Sequence, residues 1–268
     1  GWDTYETSDV DFVEFEVGTG YQMATEDGSN VEFKGTLTTA TVNVTITSNE
    51  TNPYGATGAN GFFLLANPYA SYIVANNNGG TNQVLSTANL LELQSGTHQA
   101  VWAWDGAGDS GSGSWSTITN ASALKYMAPG QAFMVRADGH SGQTGTFSFT
   151  TAMQSTSGSG DDFYDGDAMD PVDRAELFIG LNQGEGEKHT EIYFINEGSD
   201  GVDSSYDGAL METSLADNTF SIYSRILDGD EGTDIAVNAL AYSEMWDKVI
   251  PIGVNAMAGE EMTIKIGR

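Results

Sequence analysis

The sequence predicts an all-β chain, built as two antiparallel, jelly-roll-like β-sandwich domains in tandem, and three observations predict it. Apolar and polar residues alternate with a period of two along many short segments, as expected for half-buried strands. Clusters of Gly, Asn, Asp and Ser separate these segments, because such residues accept the backbone angles and local hydrogen bonds of turns. Helical spacing is rare, which favours antiparallel sandwiches over a sheet with helical crossovers.

The clearest strand covers residues 41–47, where Val42, Val44 and Ile46 share one face that we expect to be buried. Further strands are predicted at residues 62–65, 100–104, 132–137, 145–149, 175–181, 190–195, 219–223, 234–238, 247–252 and 261–266. Short helical segments are predicted at residues 87–94 and 241–246.

The length and one change in composition predict the domain organisation. A chain of 268 residues exceeds a typical domain of roughly 150 residues, so two units are expected. Apolar alternation stops between Gln154 and Pro171, where small polar and acidic residues dominate. We therefore predict a β-sandwich domain at residues 1–155, an acidic Gly/Ser-rich linker at 156–171 and a smaller β-sandwich domain at 172–268. A single large sandwich is the alternative.

The charge excludes several classes of partner. Nine Lys and Arg residues stand against 38 Asp and Glu residues, a formal net charge of -29. This charge repels phosphate backbones and anionic headgroups, so neither nucleic acid nor a membrane surface is an expected partner. No apolar run approaches the ~18 residues of a membrane span, so membrane insertion is not expected either. Cysteine is absent, which excludes disulfides and thiolate metal sites.

Acidic loops are candidate calcium sites, because calcium takes roughly six to eight oxygen ligands. Asp228, Asp230 and Asp234 are spaced in a way that loosely resembles a calcium loop, although position twelve is Ala239 and not Glu. A solvated acidic turn is the favoured interpretation of these three carboxylates, and a calcium site with all three as ligands is the alternative. No other cofactor is predicted. Two further acidic clusters are candidates of the same kind: Asp161, Asp162, Asp165, Asp167 and Asp170 in the linker, and Asp200, Asp203 and Asp207 beyond it.

The sequence offers no motif for catalysis. Nucleophilic catalysis needs a hydroxyl or thiol beside a base, and His98, His140 and His189 lie in no recognisable motif of that kind. Zinc, phosphate-binding and nucleophile-elbow motifs do not occur in the sequence. We therefore predict that the chain is not an enzyme.

Trp102, Trp104 and Trp115 are the candidate ligand-binding residues, because aromatic faces pack on sugar rings while acids bind the hydroxyls. Trp102 and Trp104 are two residues apart on one predicted strand and therefore share a face. A sandwich core requires the same arrangement. Core packing is favoured, and a glycan-binding surface is the alternative.

Several motifs in order along the chain resemble one known group of proteins. Residues 61–71, GFFLLANPYAS, are similar to the signature G-W-N-L-I-G-N-P-Y-P-S, and residues 127–135, MAPGQAFMV, to I-A-P-G-Q-G-F-F-V. Residues 101–106, VWAWDG, and 145–153, GTFSFTTAM, resemble Y-x-W-D-G and G-x-F-x-F-x-N-A-M. The group is that of large secreted Bacteroidota proteins that end in a type IX secretion sorting domain.

The C-terminal part of the chain continues the resemblance. Residues 203–208, DSSYDG, are similar to D-x-x-Y-D-A, residues 235–240, IAVNAL, to L-x-I-N-x-L-P, and residues 250–253, IPIG, to V-P-L-G. Ala66 and Ala70 depart from the group's pattern, where Gly and Pro are usual.

The resemblance implies export and an extracellular or cell-surface location, in a region upstream of the sorting domain. In that group such regions belong to adhesins, surface fibres and some secreted hydrolases. The function it implies is a non-catalytic structural or adhesive module. One variant of this function is self-assembly into an extracellular fibre, because an exposed edge strand can accept a strand from a neighbouring copy. Its partners would be other copies of itself, or neighbouring domains of the same precursor. A calcium-assisted module that binds surface glycans and an accessory region of a secreted hydrolase are the alternatives.

Overall fold

The computed structural model describes residues 15–22, 35–47, 61–77, 79–105, 114–138, 144–157, 174–183, 186–211, 220–256, 258–259 and 261–267. Within these residues, sixteen strands account for most of the regular structure, beside one short α-helix and a few 3-10 turns. The predicted all-β fold is confirmed.

Nine strands lie in the part of the chain described between residues 15 and 157, which we call the N-terminal half. They are β1 (Val42–Thr47), β2 (Phe62–Ala66), β3 (Tyr72–Asn76), β4 (Val101–Asp105), β5 (Ser114–Ile118), β6 (Lys125–Met127), β7 (Ala132–Arg136), β8 (Thr144–Phe149) and β9 (Gln154–Ser155). The helix α1 (Thr87–Leu90) lies between β3 and β4.

Seven strands lie in the part described between residues 174 and 267, the C-terminal half. They are β10 (Ala175–Gln183), β11 (Gly186–Ile195), β12 (Gly208–Ala209), β13 (Phe220–Ser224), β14 (Ile235–Ala241), β15 (Ile252–Ala256) and β16 (Thr263–Gly267). The predicted linker overlaps residues 158–173, which lie outside the described residues, so the domain boundary stays a prediction.

Two elements differ from their predictions for identifiable reasons. The strand predicted at residues 247–252 is wrong, because β15 only begins at Ile252. Pro251 cannot donate a ladder hydrogen bond, and the Lys248 ammonium is bound by the Asp200 carboxylate instead. The helix predicted at residues 87–94 is a single turn, since Leu93 forms a β-bridge with Ala137.

The N-terminal half has its core between one larger and two smaller sheets. The larger sheet has the strand order β2-β7-β4-β5, while β1 pairs with β8 and a third sheet has the order β6-β3-β9. Strands from all three contribute to one buried cluster that includes Ile46, Leu65, Ile73, Val101, Phe133, Val135, Phe147 and Phe149. Ile46 is buried as predicted, whereas Val42 and Val44 are partly buried and pack against the same cluster.

A buried asparagine connects residues 61–71 with residues 127–135. The Asn67 amide nitrogen donates to the carbonyls of Ser71, Met127 and Ala128, at 2.8, 3.2 and 3.0 Å. Its Oδ1 accepts from Tyr69 N at 3.0 Å. Gly130 has φ of 71°, and Gln131 N donates to Ala128 O at 3.1 Å, which is the geometry of a type II turn with Pro129 and Gly130 at its centre. The two segments therefore meet around one side chain.

A second buried amide, that of Asn76, has the same role at another turn. Asn76 Nδ2 donates to the carbonyls of Thr119, Ser122 and Ala123, and its Oδ1 accepts from Lys125 N. Buried backbone groups must be paired, and five of the six carbonyls that Asn67 and Asn76 bind lie outside the strands.

The described strands of the C-terminal half form one sheet with the order β15-β13-β14-β11-β10-β16, and β12 pairs beside β14. The antiparallel prediction fails at one pair, because β11 and β14 run parallel, with Glu191 opposite Val237 and Ile195 opposite Ala241. The connection between these two strands is long enough for the crossover that parallel pairing requires. One face of the sheet holds its own apolar cluster, built from Ile179, Leu181, Ile192, Phe194, Phe220, Ile222 and Leu240.

Replacing Asn67 with Ala should destabilise the chain by about 2 to 4 kcal/mol, because it leaves buried carbonyls and the Tyr69 N–H without partners. Urea denaturation of wild type and N67A measures the difference. Asn43→Ala is the matched control, since Asn43 is exposed on β1 and should change stability by less than about 0.5 kcal/mol. Equal effects of the two substitutions would contradict the role given to Asn67.

Candidate functional site

The two halves meet at the outer face of the larger N-terminal sheet. Val101 and Ala103 of β4 belong to the N-terminal core, so the alternating residues Trp102 and Trp104 lie on the opposite, outer face. Residues 203–209 of the C-terminal half pack against this face, and we call them the docking loop. The loop has the sequence Asp203-Ser-Ser-Tyr-Asp-Gly-Ala209.

A buried carboxylate holds the docking loop to the C-terminal sheet. Asp207 is fully buried, and its two oxygens accept from Ala239 N of β14 and from Asp203 N, each at 2.7 Å. Asp207 N also donates to Asp203 O at 2.8 Å. Burial raises the pKa of Asp207 to about 7, although the two backbone donors act in the opposite direction.

Three carbonyls of the docking loop accept hydrogen bonds from the N-terminal half. Asn120 N donates to Ser205 O at 2.8 Å, and Thr119 Oγ1 donates to Tyr206 O at 2.8 Å. The indole Nε1 of Trp102 donates to Ala209 O at 3.0 Å. Ser205 has φ of 70°, a left-handed conformation that costs of the order of 1 kcal/mol in a residue other than glycine. The bonds on both sides of Ser205 offset that cost.

Apolar side chains pack around these hydrogen bonds. We call this contact between the docking loop and the N-terminal half the joint. Ala209 packs with Ala100 and Trp102 in one buried cluster, and Ala121 packs with the other face of the C-terminal sheet in a second. That second cluster contains Tyr193, Ile195, Val237 and Ala239. Gly208 has no space for a side chain, because a Cβ there would lie 2.5 Å from Thr117 Cγ2 and 2.7 Å from Thr119 Cγ2.

The three tryptophans of the predicted glycan site have different environments. Trp102 and Trp104 share a face as predicted, but this is the outer face and not the sandwich core. Trp102 is only 1% exposed because the docking loop covers it, whereas Trp104 is 45% exposed. Trp104 and Trp115 meet edge to face, with ring centroids 5.3 Å apart. The buried Nε1 of Trp115 has no hydrogen-bond partner.

The other end of the outer face carries one of the few cations of the chain. The Arg136 guanidinium lies 5.5 Å from the ring centroid of Phe62, which in turn meets Trp102 edge to face at 5.5 Å. Burial, with a smaller contribution from the Arg136 charge, lowers the pKa of His98 to about 4. His98 is therefore neutral at pH 7 and serves as part of this aromatic packing.

The predicted calcium ligands lie around an arginine. Arg225 Nη2 is 2.8 Å from Asp234 Oδ1, and its Nη1 is 4.0 Å from Asp230 Oδ1. Asp230 Oδ1 also accepts from Gly232 N at 2.8 Å, while Asp228 is exposed. Among the described residues, no group of three or more His, Cys, Asp or Glu side chains is arranged to hold a metal ion. Calcium binding here stays a prediction, and the contacts of Arg225 do not favour it.

The other histidines and acidic residues considered as candidates, where the structure describes them, lie apart from the docking loop or are bound to neighbouring groups. His189 Nε2 lies 3.1 Å from Glu191 Oε1, and the Tyr193 hydroxyl donates to Glu191 Oε2 at 2.6 Å. This row occupies alternate positions of β11, and its hydrogen bonds raise the pKa of His189. Asp200 and Asp203 bind Lys248 and the backbone of Ser199, respectively. His140 and the acidic residues of the linker lie outside the described residues.

Sequence reasoning missed most residues of the joint. The acidic cluster containing Asp203 and Asp207 was a calcium candidate, but both carboxylates accept backbone N–H groups. Gly208, Thr119 and Ala209 carried no chemical signal at all. The available signal was the motif D-x-x-Y-D at residues 203–207, which coincides with the docking loop.

Residues 11–268 match the model of the family described as Domain of unknown function (DUF8693), so the chain belongs to this family. No curated protein and no solved structure matches the chain at a significant level. In the part of the chain that the structure describes, no helix has the length and apolar character needed to cross a membrane.

Between about pH 4 and pH 7, the Asp207 carboxyl should make the stability of the chain fall as the pH rises. The folded-state pKa of Asp207 is about 7, well above an unfolded value of about 4, so the folded state holds its proton longer. This stabilisation is complete below about pH 4 and is lost as the pH passes 7. The raised pKa of His189 acts with the same sign, with loss above its unfolded value of about 6.5.

In the Asp207→Asn variant, the free energy of unfolding should fall by about 2 kcal/mol less than in the wild type between pH 5 and pH 8. Urea denaturation at several pH values measures it. Asp228→Asn removes an exposed carboxylate from the same half and should leave the wild-type slope. A wild-type slope in the D207N variant would show that Asp207 does not titrate in this range.

Proposed function

We propose that the chain is a non-catalytic structural or adhesive module of an exported bacterial cell-surface protein. The observation that supports this role best is the joint between the halves. Backbone carbonyls at Ser205, Tyr206 and Ala209 are bonded to donors of the other half, and apolar side chains exclude water around them. A joint of this kind makes two β-rich units respond to a pulling force together.

The composition suits that role outside the cell. Surface proteins commonly gain strength from disulfides, but this chain has no cysteine and relies on packed strands and buried amides instead. Its net charge of -29 keeps it from anionic surfaces and is screened within about 10 Å in salty surroundings.

Gly208→Ala tests the joint. The added Cβ meets the methyl groups of Thr117 and Thr119, so the docking loop must shift and lose its hydrogen bonds to the N-terminal half. We expect one cooperative thermal transition for the wild type and a lower or divided transition for G208A, measured by calorimetry. In single-molecule pulling, the variant should separate its halves at lower force.

Gly201→Ala is the matched control, because a Cβ at this glycine of the same region would have its nearest neighbour at 3.8 Å. It should behave like the wild type. If the wild-type halves separate at low force before either one unfolds, the joint does not transmit force and the structural role loses its main support.

Trp104 and Trp115 support a second candidate function, glycan binding. Trp104 is the exposed member of an aromatic pair, and the Trp115 indole has a buried donor without a partner. Exposed aromatic rings of this kind stack on apolar faces of sugar rings. Trp102 is excluded from such a surface by its burial under Ala209.

Trp104→Ala should abolish binding to any glycan that the wild type recognises on a glycan array. Trp246→Ala is the control, since Trp246 is also strongly exposed but lies in the C-terminal half. Unchanged binding by W104A, or equal loss in both variants, would remove this site from consideration.

A further inference from the structure

The strand β16 forms an open edge of the C-terminal sheet. It pairs with β10 along Phe178 to Asn182, and no described strand pairs with its other side. All five of its residues are exposed. An exposed strand edge presents unpaired N–H and C=O groups, which is a template for another strand.

The same edge carries unusually exposed apolar side chains. Ile264 and Ile266 are 59% and 77% exposed. They stand opposite Leu181 and Ile179, so they extend the face that holds the apolar cluster of the C-terminal sheet. A strand added beside β16 would continue both the ladder and this apolar face.

The low negative charge of this edge allows a second copy of the chain to approach it. Two copies that each carry a net charge of -29 repel one another. Residues 262–267, MTIKIG, contain no carboxylate and include one of only nine Lys and Arg residues in the chain. Two copies that pair through these segments therefore place no carboxylate of one segment opposite a carboxylate of the other.

We propose that β16 pairs with β16 of a second copy in an antiparallel, two-fold symmetric dimer centred on Ile264. In this register Met262 stands opposite Ile266 of the second copy, and Thr263 opposite its Lys265. The apolar residues of both copies then lie on one face. A register centred on Lys265 would instead place two ammonium groups opposite each other, which is unfavourable. An interface of this kind uses the same patch on both copies.

The proposed dimer rests on the proposed structural role, and it identifies a second copy of the chain as the partner in that role. The two can fail separately, because the joint is tested by Gly208→Ala and the dimer by changes more than fifty residues later in the chain.

Sedimentation of the full chain over a range of concentrations tests the dimer. We expect a reversible dimer whose association strengthens with added NaCl, because salt screens the repulsion between two acidic copies. Ile264→Lys combined with Ile266→Lys should weaken association at least about tenfold. Val249→Lys is the control, since Val249 is 85% exposed in the same half but lies outside β16, and it should dimerise like the wild type.

A single introduced cysteine tests the register, because the chain has no cysteine of its own. Ile264→Cys should form a disulfide-linked dimer on oxidation, since each residue 264 faces its own copy across the axis. Val249→Cys should not, and neither should Ile266→Cys, which faces Met262. A monomeric wild type, growth beyond two copies through the other open edge at β15, or failure of I264C to cross-link would each overturn the proposal.

Discussion

The structure depends on the way the Asp207 carboxylate is held. Its two oxygens accept hydrogen bonds from one N–H of β14 and one of the docking loop, and these bonds hold the loop to the C-terminal sheet. The loop can then present the carbonyls of Ser205, Tyr206 and Ala209 to donors of the N-terminal half. A charged group in this position is costly to bury. Two backbone donors compensate for part of that cost, and the remainder appears as a raised pKa.

In the N-terminal half, neutral side-chain amides pair with buried backbone groups. Its strands are short, so many backbone groups near the core lie beyond the ends of the ladders. Asn67 and Asn76 each bind three carbonyls and one N–H at such places. A side-chain amide offers donors and an acceptor at one point, which suits a turn where both kinds of group are orphaned. Buried amides thus fix the loops of a chain that has no disulfides.

Local pattern predicted the strands well and the joint poorly, and the reason is physical. Alternation along residues 42–47 reports burial against a neighbouring sheet, which is decided within a few residues of sequence. The same rule placed Trp102 and Trp104 on one face, but it could not say that a loop about a hundred residues later would cover only Trp102. It also misplaced β15, where Pro251 cannot donate a ladder hydrogen bond and Lys248 pairs with the distant Asp200. The docking loop was visible only as the motif at residues 203–207.

Three of the cations in the C-terminal half are paired with carboxylates. Lys248 binds Asp200 and Glu244, Arg225 binds Asp234, and Arg174 binds Glu176, so these three cations lie where the chain brings carboxylates together. Isolated surface ion pairs contribute little, but a carboxylate without a counter-charge in such a region would add to the self-repulsion. Lys265 differs, because the strand around it contains no carboxylate. The positive charge of Lys265 can therefore reduce the repulsion between two copies of the chain that approach each other at this edge.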